Sequence, residues 1–163
     1  MSKRLKGILT SSCLILVLLI LIFFITRQPL YPSVIASSCV EASNVEISVE
    51  LQLSEQEKKI VCAVDNHNDY AITSGVEYYL EKEKDGKWYE VVDKTGKRTN
   101  EKAWNEIAQL FPANKRSGFE ISLDEYQELS AGNYRVVKYV SLENTSKNKD
   151  TCYIFVAPFE VKE

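Results

Sequence analysis

The sequence predicts an all-β protein: an antiparallel sandwich of about seven strands, preceded by one transmembrane helix. Two observations predict the sandwich. Apolar and polar residues alternate in several short segments, as they do in strands with one buried face, and turn residues separate these segments at intervals of roughly ten residues. A third observation, an uncharged apolar run near the N-terminus, predicts the helix.

The N-terminal part of the chain has the composition of a membrane anchor. Residues 8–25 (ILTSSCLILVLLILIFFI) carry no charge, and the run is long enough to cross roughly 30 Å of hydrocarbon. Lys3, Arg4 and Lys6 precede it, and basic flanks stay on the cytoplasmic side of a membrane. We therefore expect residues 1–25 to anchor a single-pass protein in the cell membrane, with its C-terminal domain outside.

Two other interpretations of this region stay open. Cleavage after Ala36 would make the N-terminal segment a signal sequence, with Val34 and Ala36 at the third and first positions before the cut. Residues 36–39 (ASSC) loosely resemble the motif at which bacterial lipoproteins are lipidated, which would place a lipid on Cys39. In the anchored protein, residues 26–44 are rich in Pro, Ser and Ala and are expected to form a tether.

Residues 45–163 form the predicted domain. Its clearest strand is VEISVELQL at 45–53, in which apolar and polar residues alternate along the whole length. The stretch EKAWNEIAQLF at 101–111 is ambiguous, since its apolar residues fit either a helical turn or a distorted strand. Further strands are predicted within KKIVCAVDN, VEYYLEKEK, KWYEVV, GFEISL, YRVVKYV and CYIFVAPFEV.

A tight hairpin is predicted around Asp85 and Gly86. This dipeptide favours a type I′ turn, because both central residues of that turn need positive φ. The turn would place Leu80 opposite Val91, with both side chains on one face of the hairpin and Trp88 on the other. A bulged turn would reverse this arrangement.

The stretch LSAGNYRVVKYV places a tyrosine just after a turn glycine, at the start of a strand. Leu129 would plug the end of the sandwich, and Gly132 would permit the tight turn. Tyr134 would bury its ring while its hydroxyl bonds to the backbone a few residues upstream. We expect Arg135 to face solvent. This combination is the tyrosine corner of immunoglobulin-like sandwiches.

The order of these motifs resembles that of one family. The YxLEKxxDGxW hairpin, the LxxGxYR corner and the closing VAPFEV are similar to the bacterial immunoglobulin-like domain of exported, often membrane-anchored or lipidated, proteins of low-GC Gram-positive bacteria. The resemblance covers residues 45–163. It implies an immunoglobulin-like fold and a location outside the membrane, and it brings no catalytic residue with it.

The cysteines leave the disulfide pattern open. Cys39, Cys62 and Cys152 would all be exported to a compartment where disulfides form, and an odd number leaves at least one without a partner within the chain. Cys62 and Cys152 are the candidate pair, although they do not match the cross-sheet pair usual for this fold. A bond between them requires Cα atoms within about 7 Å. The other interpretation is that Cys62, within IVCAV, is a buried thiol.

The composition argues against several classes of function. A formal net charge of −3 provides no basic face for nucleic acid. The single histidine, His67, lies in the polar connection DNHND, and no GxSxG motif accompanies it. The acids and amides around His67 do not fit an EF-hand, which leaves only a calcium site of loop carboxylates as an alternative. We therefore predict no catalytic residue, no metal site and no cofactor.

Aromatic residues on the hairpin are the one hint of binding. Tyr79, Trp88 and Tyr89 cluster there, and exposed aromatic rings can stack on sugars or on the side chains of a partner. We predict a binding, interaction or spacer module without catalytic activity, whose partner is another cell-surface protein or a cell-wall component. The alternative is a cleaved or lipidated surface protein that captures a cell-envelope or extracellular ligand.

Overall fold

Two β-sheets pack face to face in the computed structural model, which describes residues 30–54, 57–143 and 151–162. Among these residues, one 3-10 turn is present besides the strands, at Thr99–Glu101. The strands are β1 (Tyr31–Pro32), β2 (Val40–Glu41), β3 (Val45–Leu53), β4 (Lys58–Asn66), β5 (Ile72–Ser74), β6 (Tyr79–Lys84), β7 (Lys87–Glu90), β8 (Gln109–Phe111), β9 (Lys115–Ser122), β10 (Gly132–Leu142) and β11 (Tyr153–Val161).

The smaller sheet has the order β3-β4-β9, and both of its pairings are antiparallel. Apolar and polar residues alternate along β3, and this pattern determines which face of the sheet meets the core. Val45, Ile47 and Val49 are half-buried against the core, whereas the residues between them are exposed. In β4 the inward residues include Cys62, which pairs with Phe119 of β9. The period-two pattern thus turns one face of this sheet to the core and the other to solvent.

The larger sheet has the order β1-β7-β6-β10-β11-β2, and β5 and β8 join it through a pairing of β5 with β10. Its centre is the long pair of β10 and β11, which is antiparallel over nine residue pairs. Tyr134, Val136 and Val140 of β10 point into the core, and Val137 points to the outer face. The two sheets and the main core between them confirm the predicted all-β sandwich, with more strands than the seven expected.

Residues 26–44 do not behave as the tether that the sequence suggested, at least from Tyr31 onward. β1 pairs with β7, and β2 pairs in parallel with β11. Residues 31–41, here called the N-terminal strap, therefore add a strand at each end of the larger sheet. A two-residue strand has no detectable period, which is why the sequence pattern missed both.

The strap covers a second, smaller apolar cluster on the outer face of the larger sheet. The centre of this cluster is Tyr79, Val137 and Ile154, all buried. Ile35 and Cys39 of the strap pack against them. The larger sheet is therefore covered on both faces in this region, by the smaller sheet on the inside and by the strap on the outside.

The predicted membrane anchor, residues 8–25, lies outside the described residues. Within the part of the chain that the structure describes, no helix has the length and apolar character needed to cross a membrane.

Candidate functional site

The hairpin has the predicted geometry at its turn. Asp85 and Gly86 have φ values of 52° and 70°, and Lys84 pairs with Lys87 directly across the turn. The Val91 amide donates to the Leu80 carbonyl oxygen at 2.8 Å, so these two residues lie opposite each other. This register places Trp88 opposite Glu83, on the outer face of the sheet.

Trp88 is half-buried, and its ring lies against the cation of an ion pair. The Arg135 guanidinium lies 4.4 Å from the centroid of the Trp88 ring, a cation–π contact. Arg135 also places Nε and Nη2 each 2.7 Å from one carboxylate oxygen of Glu81, whose side chain is fully buried. The expectation that Arg135 faces solvent is wrong, because the charge of Glu81 holds it against the sheet.

The predicted aromatic patch does not form as a continuous surface. Tyr79 is 7% exposed, and its ring meets Tyr139 edge-on with centroids 5.8 Å apart. Its hydroxyl donates to Glu77 at 3.1 Å, and burial raises the pKa of the Tyr79 phenol. Tyr89 is half-buried and pairs with Pro32 of the strap. The strap therefore packs on the cluster that contains Tyr79 and pairs with the strand that carries Tyr89.

The tyrosine corner forms at the start of β10. The Tyr134 hydroxyl donates to the Ser130 carbonyl oxygen at 2.7 Å, and the ring is 2% exposed. Gly132 has a φ of 145°, and an added Cβ there would lie 3.0 Å from Cε of Lys82. Leu129 packs, half-buried, against the core. These contacts give the corner a structural role.

Lys82 fastens the same corner from the neighbouring strand. Its ammonium group donates to the Ser130 hydroxyl at 2.6 Å and to the Ala131 carbonyl at 3.0 Å, and it lies 5.0 Å from the Tyr134 ring centroid. The Lys82 ammonium group thus contacts both the turn before β10 and the ring of Tyr134. No local sequence pattern indicates this contact, because Lys82 lies 48 residues from Ser130 along the chain.

The disulfide joins Cys39 to Cys152, and the candidate pair of Cys62 with Cys152 is wrong. The Cα atoms of Cys39 and Cys152 are 4.6 Å apart, because β2 runs beside the start of β11. Cys62 instead lies in the core with no exposed surface, and burial raises the pKa of its thiol to about 12. The bond closes the strap onto the last strand.

The first residues of the strap are held by a second group of contacts. The Arg98 guanidinium stacks 4.9 Å from the Tyr31 ring centroid, and its Nε donates to Glu90 at 2.9 Å. Glu90, which is 4% exposed, pairs with Tyr31 across the strands and accepts a bond from the Thr99 amide at 2.6 Å. The strap is therefore fixed at both ends, by this cluster and by the disulfide.

Lys138 is a buried amine that the sequence reasoning missed. It is 1% exposed, donates to the Glu77 carbonyl oxygen at 2.9 Å and lies 4.9 Å from the Phe119 ring centroid. Burial lowers the pKa of the Lys138 amine to about 8. Its position carried a signal, since Lys138 follows the inward residues Tyr134 and Val136 at the spacing of one strand face.

The polar connection around His67 serves the fold. The Asn66 amide donates to carbonyl oxygens of Tyr70 and Phe111, each at 3.0 Å, and both Asn66 and Asn68 are buried. His67 is exposed and has Nε2 3.9 Å from a carboxylate oxygen of Glu46. Among the described residues, no three His, Cys, Asp or Glu side chains come together as a metal ion would require.

A cleft opens at the end of the sandwich beside the tyrosine corner, with a volume of about 790 Å³. It lies where β3 and β11 end, and the loop from Leu123 to Ala131 closes one side. Its residues come from five separate parts of the chain, so no local sequence pattern could have indicated it. A concave, partly apolar cavity of this size is the usual setting for a bound ligand.

The comparison with known families agrees with this architecture. The family model of the bacterial Ig-like domain matches residues 41–153, which is more than half of the chain. The sandwich itself continues past the match to Val161, the last residue of β11. No curated protein matches the sequence. The chain belongs to the bacterial immunoglobulin-like domain family.

Proposed function

We propose that this chain is a membrane-anchored module outside the cytoplasm, which acts as a binding, interaction or spacer domain without catalytic activity. The Cys39–Cys152 disulfide is the observation that carries the proposal. Disulfides form and persist in exported proteins, and the cytosol keeps thiols reduced. An exported domain also agrees with the basic residues that precede the apolar run at 8–25.

The strap supports retention of the N-terminal segment over its removal. Cleavage after Ala36 would remove β1 and, with it, the Tyr31 ring that stacks on Arg98. Glu90 would also lose its pairing with Tyr31 and keep only its hairpin partner Glu81. Tyr31 and Pro32 are therefore part of the folded sheet, and their loss would uncover the buried Glu90.

The same disulfide argues against lipidation of Cys39. The Cys39 sulfur is bonded to Cys152, and one sulfur cannot carry both a disulfide and a thioether to a lipid. A lipidated protein would leave Cys152 without a partner at the start of β11. The two fates of Cys39 are mutually exclusive, which makes this residue a direct marker of the mode of attachment.

Membrane topology can be tested with single cysteines on the full-length chain. Lys87→Cys lies on the exposed hairpin, and Ser2→Cys lies before the apolar run. A membrane-impermeant maleimide should label Lys87→Cys in intact cells, and Ser2→Cys only after lysis. The wild-type chain supplies the background from the native thiols. Labelling with the opposite pattern, or release of the chain from membranes by alkaline carbonate, would defeat the anchored topology.

A further inference from the structure

β9 is an outer strand of the smaller sheet, and one of its edges has no neighbouring strand. Its eight residues pair one by one with β4, without a bulge or a proline. Within the described part of the chain, no strand pairs with its other edge, and no backbone hydrogen bond joins Lys115–Ser122 to a turn or loop. Gly118, near its centre, is exposed, and the exposed atoms of a glycine are main chain. A long, regular edge of this kind can pair with another strand.

The other sheet edges are less suited to pairing with a copy of themselves. In the larger sheet, the outer strands β1, β2 and β8 have only two or three residues each, which offers little main chain to a partner. β3 is long, but its outer face carries Glu46 and Glu50 and no cation. Two copies paired through β3 would bring carboxylates close together, and like charges on facing strands repel. The edge of β9 is therefore the favoured one.

Two opposite charges lie symmetrically about Gly118 on the outer face of β9. Arg116 lies two residues before the glycine, and Glu120 lies two residues after it; their side chains are 67% and 58% exposed. The nearest acid to Arg116 is Asp65, at 3.6 Å, and Arg116 donates no hydrogen bond to any residue that the structure describes. Glu120 accepts from Lys59 at 3.1 Å on Oε2 only. Both charges thus have capacity for a further partner.

We infer that β9 pairs antiparallel with β9 of a second copy of this chain, about a two-fold axis that passes between the two Gly118 residues. This register sets Arg116 of each copy opposite Glu120 of the other, because both residues lie two positions from the axis. Opposite charges at facing positions of neighbouring strands attract, so the edge is complementary to itself. The pairing joins two three-stranded sheets into one of six strands. It rests on the proposed function, since it names the partner of the interaction module.

Cysteine crosslinking tests the register on the full-length chain. One copy carries Arg116→Cys and the other Glu120→Cys, with different tags, and Cys13→Ser removes the native thiol of the apolar run from both. Facing residues of an antiparallel pair have Cα atoms about 4.5–5.5 Å apart, which is within the range of a disulfide. After oxidation of membranes that contain both copies, we expect a linked product with both tags. Two copies of Arg116→Cys should not link, because their cysteines are displaced along the strands.

Charge reversal tests the two ion pairs. Arg116→Glu sets carboxylates against each other at both contacts, and Glu120→Arg sets cations against each other. Each variant alone should lower the association constant of the detergent-solubilised chain about tenfold, as measured by sedimentation velocity. An equal mixture of the two variants restores opposite charges at both contacts and should associate as the wild-type chain does. Effects within one chain, such as loss of the Asp65 contact, persist in the mixture and cannot produce this recovery.

Glu50→Arg on β3 is the matched control, because it reverses an exposed glutamate on the same face of the same sheet. This variant should associate as the wild-type chain does. A substitution at Gly118 is not used, since an added Cβ would overlap the carbonyl oxygen of Cys62 in the same chain.

Four results would overturn the inference. They are a wild-type chain that stays monomeric, an Arg116→Glu chain that associates like wild type, a mixture that associates no better than either variant alone, and a link between two copies of Arg116→Cys in place of the mixed link. The topology assay on Lys87→Cys reports the location of the domain and does not depend on pairing. A wrong location and a wrong partner therefore give different results.

Discussion

The hydroxyl of Tyr134 donates a hydrogen bond to the carbonyl oxygen of Ser130 at 2.7 Å, four residues upstream of the ring. Both the ring and the bond lie at the end of the sandwich, where Phe159 stacks on Tyr134 with ring centroids 5.5 Å apart. The bond lets the chain turn sharply into β10 without leaving a buried hydroxyl unpaired.

Tyr134→Phe should lower the free energy of unfolding by about 1–2 kcal/mol, since it leaves the Ser130 carbonyl without its tyrosine donor. The change keeps the ring and its stacking, so it isolates the hydrogen bond. Tyr153→Phe is the matched control, at a half-buried tyrosine of β11. Denaturant unfolding measures both, and an unchanged midpoint for Tyr134→Phe would show that the corner bond contributes nothing.

Lys138→Met should stabilise the protein at pH 7 by about 2 kcal/mol, because it removes a charge that burial disfavours. Burial lowers the pKa of the Lys138 amine to about 8 from an unfolded value of 10.5. The unfolded state therefore binds more protons between these values, and the wild-type protein gains stability as pH rises through this window.

The difference in unfolding free energy between Lys138→Met and the wild-type protein should accordingly become smaller from pH 8 to pH 10. Burial raises the pKa of the Cys62 thiol to about 12, so this thiol stays neutral in both folded proteins over this range although the Lys138 charge lowers its pKa, and it adds little to the difference between the two unfolding curves. Lys115→Met, at an exposed position, should show no such trend. If the difference in unfolding free energy between wild type and Lys138→Met stayed constant across this range, the pKa of the Lys138 amine would not be lowered by burial.

Arg135→Met should cost about 3 kcal/mol of unfolding free energy, because it leaves the fully buried Glu81 carboxylate without its cation. The double variant Glu81→Met, Arg135→Met should recover most of this loss, since it removes both charges together. Arg116→Met tests an exposed pair with Asp65 and should change stability by less than about 0.5 kcal/mol. A double variant as unstable as Arg135→Met would show that the pair is not coupled.

Long alternating segments could be predicted from the sequence because their pattern repeats several times. VEISVELQL at 45–53 is such a case, and it forms β3 over the same residues. The Asp85-Gly86 turn was predictable for a different reason, since positive φ at two successive positions restricts the residues that can occupy them. Both are local properties of the chain.

The strap and the cleft could not be predicted, because they depend on contacts between distant residues. Cys39 meets Cys152 across a separation of 113 residues, and nothing near Cys39 in the sequence indicates a strand. Trp88 was predicted as exposed because a strand pattern shows only which face it occupies. Whether that face is covered depends on Arg135 and on the strap.

The Cys39–Cys152 disulfide closes the N-terminal strap onto the domain and is the basis of the proposed location outside the cytoplasm. The direct test is peptide mapping by mass spectrometry, without reduction, of the full-length protein taken from membranes of cells that produce it. We predict one linked pair of peptides that contain Cys39 and Cys152, with Cys62 alkylated only after unfolding. A link between Cys62 and Cys152, or a lipid on Cys39, would show that the strap is not closed by this disulfide.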